Sequence, residues 1–523
     1  MKSLPSALAF FLLVNAVVGP SATAQPPAQP PAKPQPPAPA ATTPASAPRR
    51  PVPLDSFQLK LPSTISLGNV RVTTNDLRDG KLIVLDSATK KPTKQHMDSM
   101  QAMARELVYA LTDKKYYSPP EPTNNFLRPV PSELTLESRF DEAKRFILVP
   151  TWGRKLSIDQ ADYIVWFGVA MDEAIREILD PKPAKAGDPV PAVPAIYRVN
   201  AARMMAEAAK SGAPAFYPTI LGLLSNPDTD PEVLVYAIKA AEGLIAAFNP
   251  ILRDDAKYMI HTIKDAEMVK LVTALESIIT RTKPYGRKPA APVPPPPAPP
   301  PAPMAPAPKA GDPKGPTIPV GQLQANTVSA EQQLVIRYFR RAAIRALSQV
   351  RYPQFVDAQT GKAVYPIVTL AKIAVGDASI TTAPGNDEIA AATVGLCNLH
   401  DYKDVNVDAL CDCIAQGVAN FAGKKAGNSQ DKSIPWKVVG SHIITALADM
   451  QRVPNAGKYR PKFESLATVL TERVLLPLEK INSPGNSPNF EALQRWRETN
   501  RPASLKLLDE AKVPAVVPAF AGA

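Results

Sequence analysis

The chain has 523 residues, 45% apolar and 21% charged, with 60 prolines and 3 cysteines. That is enough for two or three domains with sizeable cores, and too few cysteines for a disulfide scaffold. The net charge of +12 suggests a polyanion binder until it is divided: residues 1–53 carry +4, 54–285 carry none, 286–318 carry +3 and 319–523 carry +5. Most of the excess sits in a leader and two linkers, which argues against a folded nucleic-acid module.

Residues 1–24 hold Lys2, an apolar run over 7–18, Gly19-Pro20 and then Ala22-Thr23-Ala24. This pattern predicts a signal peptide cleaved after Ala24 and a secreted or periplasmic mature chain. The apolar run is too short for a spanning helix, which needs ~20 residues, and no membrane span is expected later. Residues 25–53 contain 12 prolines and read as an extended, disordered spacer.

Residues 54–180 read as a mixed region. Ser66–Val72 and Lys81–Leu85 alternate briefly and predict a small sheet. A helix over 93–111 follows, with Met97, Met100, Ala104, Leu107, Val108 and Leu111 on one side. Prolines break 119–131 into an irregular loop, and a helix returns over 157–179.

Residues 181–194 hold five prolines and predict a surface excursion. They open a helical-hairpin domain over 181–283, with a helix over 195–211, a hairpin over 216–248 and a long helix over 254–282. In the hairpin, Phe216, Ile220, Leu221 and Leu224 share one face, as do Val233, Ala237, Ala240, Ala241, Leu244 and Phe248. Asp230 is placed to cap the second helix, ahead of Pro231 and Glu232. Residues 284–319 hold 16 prolines; at ~3.1 Å per residue they could keep two halves as much as ~110 Å apart.

The order of signals then recurs within 320–513. Ala201-Ala202-Arg203, Phe216-Tyr217-Pro218 and Asp230-Pro231-Glu232-Val233 are echoed by Ala342-Ala343-Ile344-Arg345, Val364-Tyr365-Pro366 and Asn386-Asp387-Glu388-Ile389, with longer loops over 357–362 and 378–385. Helices are expected over 407–421 and 434–450. A stripe of Phe463, Leu466, Ala467, Leu470, Val474 and Leu478 follows, then closing helices over 489–500 and 503–512 and a disordered tail over 514–523.

Over 195–282 and 331–480 the chain resembles the HEAT and armadillo-like repeat proteins, most clearly at Asp230-Pro231-Glu232-Val233 followed by Ala237, Ala240, Ala241 and Leu244. The resemblance implies an α-α superhelix of stacked hairpins, in two halves, that holds partners. It carries over no site residue.

For chemistry, Cys397-x-x-His400 followed by Cys411-Asp412-Cys413 is the one ligand-like cluster. On a helix Cys411 and Cys413 point ~200° apart and cannot share a metal, so no metal is expected; a disulfide from Cys397 to Cys411 or Cys413 competes with buried thiols. No catalytic motif or nucleotide-binding glycine loop is present, and no catalytic residue or cofactor is expected. Arg337, Arg341 and Arg345 recur every fourth residue with Arg340 beside them. Such a face repels itself and is either a partner-binding surface or a set of ion pairs to the next repeat. The expectation is therefore a non-enzymatic, exported repeat scaffold that binds a protein or an anionic cell-envelope polymer. The alternatives are a secreted polysaccharide-acting enzyme on an α/α toroid, with His261 or His442 in a deep cleft, and a wall-associated structural protein binding through its basic proline-rich segments.

Overall fold

The computed structural model describes residues 52–86, 89, 91–117, 135–148, 157–183, 185–248, 263–283, 330–380, 382–427, 436–479, 487–509 and 513–516. The expected leader, most of the first spacer, the 119–131 loop, the 284–319 linker and residues 517–523 lie outside them. The described chain is mainly α, with one two-stranded sheet.

The expected N-terminal sheet is a correction. Its first strand is part of helix α1 (Leu67–Arg78), whose Val70, Thr74 and Leu77 fall on one helical face; the Thr74 hydroxyl donates to the Val70 carbonyl at 2.8 Å. Three alternating residues could not outweigh that longer period. Of the sheet only an isolated Leu85–Pro92 bridge remains. Helix α2 (Lys94–Tyr109) forms as expected, with Thr93 accepting from the His96 amide. Helix α3 (Leu136–Ile147) was not anticipated; it is capped by Thr135 and buries Phe140, Ala143, Phe146 and Ile147. Helix α4 (Ile158–Leu179) starts at a capping box in which Ser157 and Gln160 satisfy each other's amides.

Helices α5 (Ala195–Ala208), α6 (Tyr217–Ser225), α7 (Pro231–Ala247) and α8 (Asp265–Thr280) follow. Asp230 precedes α7, but its side chain caps nothing; it pairs with Arg198 of α5. After the linker come α9 (Ala330–Leu347), strands β1 (Phe355–Val356) and β2 (Ala363–Val364), and helices α10 (Pro366–Val375), α11 (Asn386–Cys397), α12 (Val407–Gly427), α13 (Trp436–Arg452) and α14 (Arg460–Thr468). Tyr-Pro opens both α6 and α10, with proline in the first turn where no amide is missed. The expected 357–362 loop is the turn that joins β1 to β2. The Asp357 carboxylate accepts from the Gln359 amide (3.0 Å) and the Thr360 hydroxyl (2.7 Å), and Gly361 supplies the left-handed turn at φ 65°.

Contacts along neighbouring helices advance in the same direction. Arg198 meets Asp230 and, further along, the backbone of Ala209 and Lys210 meets Gly243, so α5 and α7 are parallel. Phe248 beyond α7 packs against Tyr352 beyond α9 at 5.6 Å. Arg340 meets Glu388, Ser348 meets Gly395, and the His400 amide donates to the Arg351 carbonyl at 2.9 Å, so α9 and α11 are parallel too. The intervening α6, α8 and α10 pack on α7, α9 and α11 respectively. Close approach needs glycine where helices cross: a methyl group on Gly395 would stand 2.8 Å from the Ser348 Cα, and one on Gly168 of α4 would stand 2.5 Å from the Ala213 Cβ. The buried side chains form a continuous cluster from Phe57 to Val516, each large apolar one worth ~1.5–3 kcal/mol.

The two halves are in direct contact. Helix α9 packs on α7 and α8, both strands pack on α8, and Phe248, Tyr352 and Phe355 form a mutual edge-on cluster at 5.6–5.8 Å. Past α14 the chain continues through a π-helical segment (Val469–Leu475) into α15 (Leu476–Glu479), keeping the Phe463-to-Leu478 stripe buried. Helix α16 (Phe490–Thr499) is tied to α12 by Arg497, which donates to Asp412 at 2.7 Å. The expected closing helix over 503–512 is absent among its described residues, 503–509. Instead, Asn406 donates through its side chain to the Ser504 and Lys506 carbonyls (3.0 Å each), and Leu508 bridges to Val405, holding an extended strip.

Candidate functional site

The arginine-bearing helix, α9, separates its four candidates into two kinds. Arg340 is 5% exposed and forms a bidentate pair with Glu388 of α11, Nε to Oε1 at 2.8 Å and Nη2 to Oε2 at 2.5 Å, and its Nη1 donates to the Thr382 carbonyl at 3.1 Å. Glu388 also accepts from the Gly385 amide at 2.7 Å. Every part of this guanidinium is committed inside the protein, so the partner-binding expectation for Arg340 is corrected. Arg341 pairs with Asp387 at 2.7 Å while staying half exposed. These two pairings are the ones the second reading of the arginine face describes.

Arg337 and Arg345 are exposed and have no ion pair among the described residues. Arg345 lies near Glu242 of α7, as do the exposed Lys239 and Lys210. Burial pushes the Glu242 carboxyl up, although those three cations pull it down. Lys210 pairs with Glu207 at 2.6 Å, whereas Lys239 lies over the ring of Tyr236 at 5.1 Å and makes no ion pair within 4 Å among the described residues. Arg345 and Lys239 thus share the single carboxylate of Glu242, and with the exposed Arg337 they leave a net cationic surface across α7 and α9.

The N-terminal end of α9 adds an apolar part. By the level of Arg345 against Glu242, α9 begins about one turn before α7; by that of Arg340 against Glu388, it begins about two turns before α11. Residues 331–335 are all exposed, including Leu334 at 67% and Val335 at 41%, and Tyr338 in the next turn is 52% exposed. At 100° per residue Leu334, Tyr338, Arg341 and Arg345 line one stripe. The sequence showed the arginine spacing, but the overhang depends on where the neighbouring helices start.

Cys397, Cys411 and Cys413 are buried free thiols, so the disulfide considered for them is not formed. Burial pushes the Cys411 thiol up to about 12 and the other two higher still. Cys411 and Cys413 point to opposite sides of α12, yet both are covered because α12 has α10, α11 and α16 around it. Among the described residues no three His, Cys, Asp or Glu side chains are placed to hold a metal ion. His442 is exposed on α13 and His261 lies outside the described residues. His400 is half-buried beside Arg351, and its imidazole is held below its ordinary range by burial and then by that arginine.

Two features escaped sequence reasoning. Asp172, inside the apolar stripe of α4, is 3% exposed; its Oδ2 accepts from Arg176 at 2.9 Å, and burial pushes its carboxyl up to about 6. A groove of about 720 Å³ runs along α2 between Lys94 and Arg105, with Ile65 and Val70 opposite. No family model, no curated protein and no solved structure matches this chain.

Proposed function

We propose that the protein is an exported, non-enzymatic helical-repeat scaffold, an α-α superhelix of hairpins that binds an anionic partner, either a protein or a cell-envelope polymer. The observation that carries this reading is the set of exposed cations, Arg337, Arg345 and Lys239, which outnumber the one carboxylate, Glu242, that acts on two of them. An excess of like charge on a helical surface attracts counter-charge, and a ligand with repeated carboxylates or phosphates supplies it. The parallel row of α5, α7, α9 and α11 provides the rigidity. The predicted leader supports export, and the mature N-terminus should be Gln25.

Retention of the full mature protein on poly-L-glutamate and on polygalacturonate tests the reading. The wild type should be retained at 20 mM salt and released as salt reaches about 150 mM, where the screening length falls to ~8 Å. The triple variant Arg337→Glu, Arg345→Glu, Lys239→Glu should elute unretained with an unchanged melting curve. Equal retention of the two proteins would discard the proposal.

A further inference from the structure

Resting on that reading, we infer that the α9 surface takes an acidic amphipathic segment of a partner protein rather than a featureless polyanion. A polyanion would engage the cations alone. On this surface the cations continue directly into an apolar end: Leu334, Val335 and Tyr338 stand 67%, 41% and 52% exposed on a helix that begins before α7 and α11 do. Leu334 and Tyr338 fall on the same stripe as Arg341 and Arg345, with Arg337 at its edge, so one ligand of about three turns reaches both parts. Leu334, Val335 and Tyr338 are neighbours on the helix surface, and a contiguous apolar patch rimmed by charges is the kind that marks an interaction site. Charge complementarity then fixes the ligand's other half: carboxylates against Arg337, Arg345 and Lys239, and apolar side chains against Leu334 and Tyr338. The surface is small, and such contacts give weak, salt-sensitive binding, with Kd roughly in the micromolar range.

The test measures binding of the full mature protein by fluorescence anisotropy to four probes. These are a 14-residue peptide with leucines on one helical face and glutamates beside them, a scrambled isomer of identical composition, poly-L-glutamate, and vesicles containing phosphatidylglycerol. The amphipathic peptide should bind at least about tenfold more tightly than its isomer or poly-L-glutamate, since covering a leucine is worth more than the 1.4 kcal/mol that a factor of ten requires. Leu334→Ser with Tyr338→Ser should abolish that difference without changing the melting curve, because both side chains are exposed. Equal binding of peptide, isomer and poly-L-glutamate, or an unaffected double variant, overturns the inference while leaving the wider cation-surface reading intact. Vesicles bound more tightly than the peptide, through the same two residues, overturn it in favour of a lipid surface. If Arg337→Glu, Arg345→Glu, Lys239→Glu changes binding to none of the probes, both readings fall.

Discussion

Replacing Arg340 separates an architectural arginine from a binding one. Its side chain and that of Glu388 are 6% and 1% exposed, so water screens neither. Removing one partner strands the other charge in the interior, a loss of ~3–5 kcal/mol, whereas replacing both with apolar residues of similar size is near neutral or stabilising. Glu388 keeps the Gly385 amide at 2.7 Å, which places Arg340→Met at the lower end, ~3 kcal/mol. The double variant Arg340→Met, Glu388→Leu should recover most of it. By contrast the half-exposed Arg341–Asp387 pair should give no more than ~1 kcal/mol when broken. Urea unfolding followed by far-ultraviolet circular dichroism reads all three, and retention on poly-L-glutamate is measured on the same samples. The single variant should unfold at markedly lower urea, the double near the wild type, and both should be retained while folded. An Arg340→Met protein with the wild-type midpoint and lost retention would refute the assignment and return Arg340 to the binding surface.

Two further predictions concern the body of the protein. Asp172 protonates at about 6 in the folded chain against ~3.9 unfolded, so the folded state holds a proton between those values that the unfolded state has released. Stability should therefore fall by ~2 kcal/mol as pH rises from 4 to 6. Asp172→Asn should flatten that part of the urea-midpoint profile, and an unchanged slope would rule out this carboxyl as its source. Because α7 and α8 pack directly on α9, cutting the chain at a protease site introduced within 291–310 should leave two fragments that co-elute in gel filtration; separated fragments would show that the halves are held only by the linker.

Periodicity carried far into the structure. Helices α2, α4, α5, α7, α12 and α13 were legible because their apolar residues recur over three turns or more, longer than any competing pattern. The short segments failed for the converse reason. Ser66–Val72 offered only a few alternating positions, and the longer period of α1 decided it; the closing strip over 504–508 is extended because Asn406 holds its carbonyls, a partner nearly 100 residues away. The α3 helix went unread although Phe140, Ala143, Phe146 and Ile147 carry its signal.

Composition and pattern by themselves determined that this chain is mainly helical, that its prolines are concentrated in two segments, and that its α9 helix carries four arginines at close spacing. Only the packed structure decided what those arginines do. Local sequence sets which way a side chain points from its own helix. The free energy of a charge depends on what stands opposite, and here the start of α11 put Glu388 against Arg340 while the later starts of α7 and α11 left Leu334, Arg337 and Tyr338 facing solvent.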